Sequence, residues 1–138
     1  MSTSLQAAAR AWLVTKLGAM CGNRIREAPD PRDVRPFVVY QDLSRVPTPT
    51  QAAASNGCPA ARVRVSIYGD TSPAVEAIAA ALRDAVNAEP DWASWSGLLV
   101  SGLEWEDLGA NNDLQPADAS ERPYFGRLID LVLNYVEG

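Results

Sequence analysis

The hydrophobic pattern of the chain switches between two periods, and the switches mark its elements. From Arg62 to Tyr68 apolar and polar positions alternate strictly, with Val63, Val65 and Ile67 on one face and Arg62, Arg64, Ser66 and Tyr68 on the other. A period of two predicts a strand with one buried side and one solvated side. Beyond Gly69-Asp70-Thr71-Ser72-Pro73 the period lengthens, and Val75, Ile78, Ala79, Leu82 and Val86 fall on one helical stripe. Ser72 is suited to the N-cap, Pro73 to the first helical position and Glu76 to the positive end of the helix dipole. This stretch predicts a strand, a tight turn, and a helix folded back over the strand's apolar face.

The same reading extends in both directions. Leu5, Ala9, Trp12, Leu13, Leu17 and Met20 make a second apolar stripe, with caps on offer at Ser2, Thr3 and Ser4 and a stop at Gly22-Asn23. A short strand is expected around Ile25, followed by a loop through Pro29 and Pro31. A longer strand follows from Arg35 to Val46. Its first half, Phe37-Val38-Val39-Tyr40, is apolar on both faces, while its second half thins into polar residues. If that strand pairs with Arg62–Tyr68, the segment Pro47 to Pro59 is the tip of a long projecting hairpin. Such a segment, with little to bury, is either flexible or an arm that grips a neighbouring chain. Trp92 and Trp95 occupy a connector, either as a lid on the core edge or as a contact surface. Strands are then expected over Leu98–Leu108 and Tyr124–Val136, separated by a polar loop from Gly109 to Arg122. Within the last strand Ile129, Leu131, Leu133 and Tyr135 share a face, with Leu128, Val132 and Val136 opposite.

The expected fold is α+β: one domain over residues 1–138, in the order α-β-β-β-α-β-β. A mostly antiparallel sheet of about five strands carries two helices on one face. A chain of 138 residues is long enough to bury a real core. Its net charge of −5 argues against general affinity for nucleic acid or anionic lipid. Cys21 and Cys58 are far apart and lie in no metal-binding spacing, which favours two reduced thiols. No apolar run reaches the roughly 20 residues needed to span a bilayer, so no membrane partner is expected.

A search for reactive chemistry finds little. The chain has no histidine, which removes the usual general base and the commonest metal ligand. There is no Gly-rich phosphate loop and no Ser nucleophile in an elbow motif. Glu104 and Glu106 lie on one solvent face of a strand, about 7 Å apart, and read as a wet face rather than as a catalytic pair. No enzymatic activity, cofactor or metal site is expected. One charge pattern is more suggestive: Arg62 and Arg64 alternate on one strand as Glu104 and Glu106 do on another. Neighbouring strands would form cross-strand ion pairs; remote strands could bring the two stripes together between copies.

Taken in order, several motifs resemble the small tail-completion or tail-terminator proteins of long-tailed bacteriophages. They are the first helix ending in Leu17-Gly18, Asn23-Arg24-Ile25 before a Pro-rich loop, Arg35-Pro36-Phe37-Val38-Val39-Tyr40, the Arg62–Tyr68 strand leading into Thr71-Ser72-Pro73, and a closing strand from Phe125 to Tyr135. The resemblance covers nearly the whole chain, with looser matches at Trp92–Trp95 and Gly109–Arg122. It implies an α+β virion protein that forms a hexameric ring at the head-proximal end of the tail, assembled in the host cytoplasm. Such a ring stops polymerisation of the tail tube, meets the tube protein on one side and the head's connector on the other, and lets DNA pass without specific binding. A ring needs heterologous contacts that close. The candidates are Val46, Pro47, Thr48 and Pro49 in the arm, Arg62, Arg64, Glu104 and Glu106 on the wet strand faces, and Trp92 and Trp95 in the connector. The alternatives are another head–tail connector component, or a small cytosolic α+β enzyme or ligand-binding domain.

Overall fold

A computed structural model of the chain describes residues 4–43, 60–111, 114 and 123–137. Helix α1 spans Leu5–Cys21. Ser4 caps it, its side chain accepting from the Ala7 amide, and Gly22 ends it in the left-handed conformation at φ 59°, which lacks a Cβ penalty only for glycine. Strands β1 (Ile25–Arg26) and β2 (Phe37–Asp42) follow, then β3 (Ala60–Gly69), helix α2 (Ser72–Ala88), β4 (Ala93–Trp95), β5 (Leu98–Ala110) and β6 (Phe125–Glu137). The cap of α2 is Thr71, one residue before the expected Ser72; the Thr71 side chain accepts from the Ala74 amide, and Pro73 sits in the first turn. Glu76 reaches back to the sheet and pairs with Arg127 at 3.0 Å instead of serving the helix dipole.

The strands form one sheet in the order β1-β2-β3-β6-β5-β4. Only β1 and β2 are parallel; the other four neighbouring pairs are antiparallel. The expected α+β class and mostly antiparallel sheet are present, with six strands where about five were expected. The additional strand is β4. Its hairpin to β5 turns through Ser96 at φ 51° and Gly97 at φ 98°, two consecutive left-handed residues of the kind that match the twist of paired strands. The expected hairpin of β2 and β3 also forms, in register from Phe37↔Tyr68 to Asp42↔Val63. The Leu43 amide extends the ladder by donating to the Arg62 carbonyl at 2.8 Å. The tip beyond it lies outside the described residues.

Both helices pack on one face of the sheet. Their stripes, including Leu13, Leu17, Ile78 and Leu82, meet Val63, Val65, Ile67, Ile129, Leu131 and Leu133 in one core. Burial of this apolar surface is the main stabilising term. Tyr40 joins the core with its hydroxyl donating to Glu27 at 3.2 Å, and burial together with that carboxylate pushes its phenol up to about 12. Charged residues seal one rim of the core: Arg127 donates to both Asp107 and Glu76, and Arg83 to Asp107. The opposite face of the sheet carries a smaller aromatic cluster of Phe37, Val39, Tyr68 and Tyr124, with Leu114 against it. Phe37 and Tyr124 meet edge to face, as do Tyr68 and Tyr124. This second cluster explains why β2 is apolar on both sides although it lies next to a sheet edge.

Candidate functional site

The charged residues picked out in the sequence converge on the helix-free face, through a residue that periodicity did not reveal. Strands β3 and β5 are not neighbours; β6 runs between them. Asp130 of β6 stands opposite Arg64 on one side and opposite Glu106 on the other. It accepts from Arg62 at 2.7 Å and from Arg64 Nε at 2.9 Å, and its own side chain is fully buried. Arg62 also donates to Glu106 at 3.1 Å. The stripes therefore meet within one chain, across an intervening strand. Glu104 lies on the same face, paired in register with Val132, which is itself opposite Arg62.

Burial opposes ionisation of Asp130, but hydrogen bonds from Arg64 and Arg62 outweigh it and hold the carboxyl below its usual range. A carboxylate clamped in this way is a weak proton acceptor, so the cluster is suited to organising charge on a surface rather than to acid–base work. Asp130 had one visible signal, as the single charge in the apolar run from Leu128 to Leu133, at the parity of the surface face.

The two connector tryptophans part company. Trp92 is half exposed at 49% and remains on the surface. Trp95 takes the first of the two expected roles, a lid on the core edge: at 2% exposure it belongs to the core, stacked on Trp12 with ring centroids 4.7 Å apart. Its place in β4 turns it under α1, with almost no surface left to offer another subunit. Beside this pair is a cavity of about 230 Å³ lined by residues that include Trp12, Lys16, Glu89 and Trp95. Trp12 donates its indole N–H to Glu89, while the buried Trp95 indole N–H has no acceptor among the described residues. Val46, Pro47, Thr48 and Pro49 lie outside the described residues.

The strand bearing Glu104 and Glu106 has its own geometry. Leu98 and Val100 point into the core, yet so does Leu103, because an irregularity between Ser101 and Glu104 shifts the phase by one. Gly102, at φ 63°, absorbs the bend, and its amide donates to the Asp91 carboxylate. Trp105 then lies on the helix side at 38% exposure, its indole donating to Asn87 and the Arg83 guanidinium over its ring. Among the described residues β4 covers β5 only from Leu98 to Val100, so the outer edge from Glu104 to Glu106 has no strand beside it.

Comparison of the chain with protein-family models, with curated proteins and with solved structures finds no match.

Proposed function

We propose that this protein is a structural virion component that assembles as a ring at the head-proximal end of a phage tail, ends tube polymerisation and offers the surface on which the head docks. The observation that carries the reading is the β2–β3 ribbon, still paired at Leu43 and Arg62 where it leads into the Pro-rich segment 44–59. The described ribbon lies within the sheet, where residues 60–62 of β3 pair with residues 132–134 of β6; it is the composition of segment 44–59, with little to bury, that suits an arm reaching a neighbour. The sheet adds support, with helices on one face and a charged stripe on the other. The ordered motifs from Leu17-Gly18 to Tyr135 point the same way.

In this reading the protein acts by closing contacts with copies of itself, with the tube protein below and with the connector above. Deleting it should yield tails of irregular, extended length that fail to accept heads, and adding purified protein should restore both. Tails of normal length that join heads without it would overturn the reading.

A second reading, a small ligand-binding domain, draws on the cavity at Trp12 and Trp95. At about 230 Å³ it falls below the roughly 300–1,000 Å³ usual for such sites. A monomer in solution whose melting temperature rises with a small polar ligand, and falls back on Lys16→Ala, would favour it.

A further inference from the structure

Two edges of the sheet carry the same three-residue pattern with opposite charge. At one, β1 and the residue before it read Arg24-Ile25-Arg26; at the other, the part of β5 beyond its pairing with β4 reads Glu104-Trp105-Glu106. Ile25 is buried on the helix side of the sheet, and Trp105 also lies on that side against Asn87 of α2. By strand alternation both arginines and both glutamates belong to the opposite face. Strand β1 is the last in the sheet order and has β2 as its sole strand neighbour among the described residues.

We infer that the β1 edge of one copy pairs with the Glu104–Glu106 edge of the next, continuing the sheet from subunit to subunit. The strand directions allow it. β1 runs parallel to β2, and three antiparallel steps lead from β2 to β5. β1 and β5 therefore run in opposite senses. A copy rotated about an axis along the strands brings its β1 antiparallel to β5, with helix side meeting helix side. Arg24 then faces Glu106, Ile25 faces Trp105 and Arg26 faces Glu104. The exposed part of the Trp105 ring gains cover from the β1 edge, and the Ile25 amide, which donates to the Asn23 carbonyl at 2.9 Å within its own chain, exchanges that bond for one to the neighbouring strand.

Charged edges commonly prevent such pairing, by placing like charges where two edges would meet. Here the two edges attract. Arg26 keeps its bond to Asp33 at 2.9 Å and Glu106 its bond to Arg62 at 3.1 Å, and each retains further hydrogen-bonding capacity for the neighbour. The contact joins two different surfaces, so repetition closes into a ring when the rotation permits. This inference rests on the self-assembly in the reading above and specifies which surfaces make it.

The decisive experiment is a covalent one. Within one chain β1 and β5 are four strand spacings apart, about 19 Å, whereas a disulfide needs Cα atoms within about 7 Å. In a Cys58→Ser background, with Cys21 buried, the double variant Arg26→Cys/Glu104→Cys should give a ladder of disulfide-linked species on oxidation, ending at the ring, with no ladder from either single variant. In parallel, Arg24→Glu/Arg26→Glu and Glu104→Arg/Glu106→Arg should each weaken self-association about tenfold or more. An equal mixture of the two should recover it, because each reversed edge then meets its complement. Circular dichroism and melting of each variant establish that the fold survives; where a reversal unfolds the chain, the cysteine pair decides. Rings that persist with no ladder, or unaffected by either reversal, would overturn the edge pairing and leave the ring intact. A wild-type protein that stays monomeric in solution and on tail tubes would overturn both.

Discussion

On the helix side, the sheet presents Val63, Val65, Ile67, Ile129, Leu131 and Leu133 to α1 and α2. On the other side the same strands present Arg62, Arg64 and Asp130, joined by Glu104 and Glu106 of β5. One side is held by apolar burial, which has no direction and does not titrate. The charged patch on the other is organised around one buried carboxylate between two arginines, which is directional and responds to pH and salt. The difference separates two jobs. The helix side makes the domain fold, and the charged side leaves charge and polar groups at the surface in fixed positions.

The largest effect belongs to the helix side. Leu82 is fully buried between α2 and the sheet, and Leu82→Ala should cost about 2–5 kcal/mol through lost transfer energy and a residual cavity. Chemical denaturation at pH 7 and again at pH 3 would measure it. The loss should be nearly the same at both, since no ionisable group is removed.

Asp130→Asn tests the charged side, with an expected cost of about 1–3 kcal/mol at pH 7 as two charged donors lose an ionised acceptor. Its signature is the pH dependence. The folded-state pKa of Asp130 lies below its unfolded value, so its contribution is complete above about pH 4. It is lost as pH falls through the folded value. The wild type should thus lose part of its advantage over Asp130→Asn on acidification below pH 4, while the gap to Leu82→Ala holds steady. A gap between wild type and Asp130→Asn that is unchanged from pH 7 to pH 2 would break the contrast between the two sides.

The same contrast explains what the sequence makes legible. The helix side is written in periods that a single chain displays: Val63-Val65-Ile67 at two, and Val75-Ile78-Ala79-Leu82-Val86 at the helical spacing. The class and the second helix follow from them, as the first helix does from its stripe of Leu5, Ala9, Trp12, Leu13 and Leu17, whereas the pairing of β2 with β3 is conditional in the sequence and shown by the register of the sheet. The charged side depends on which strands are neighbours, and that is a tertiary fact. Arg62 and Glu106 are 44 residues apart, and nothing local says that β6 will run between them with Asp130 facing out. Two features escape these periods for local reasons. Strand β4, three residues long, is too short for a period to register, although Ser96-Gly97 marks its turn. Trp95 looks like Trp92 in the sequence, two aromatic residues of one connector, and it is the short strand before that turn that places Trp95 under α1.

The smallest effect separates the charged residues from one another. The Arg62–Glu106 pair is open to water, with side-chain exposures of 42% and 54%, whereas Arg62–Asp130 has one partner wholly buried. Exposed pairs gain little, because solvent screens the attraction and two long side chains must be held in place. A double-mutant cycle of Arg62→Met with Glu106→Gln should give a coupling near the detection limit in low salt and none in 1 M salt, where the screening length shrinks to about 3 Å. The matching cycle with Asp130→Asn should retain most of its coupling in the same salt, because burial keeps ions away from that carboxylate. Equal couplings in the two cycles, or equal sensitivity to salt, would mean that Asp130 is no more than another surface charge. The charged side would then lack the fixed centre that positions Arg62 and Arg64, and Glu106 would matter for what it meets outside the chain more than for what it holds within it.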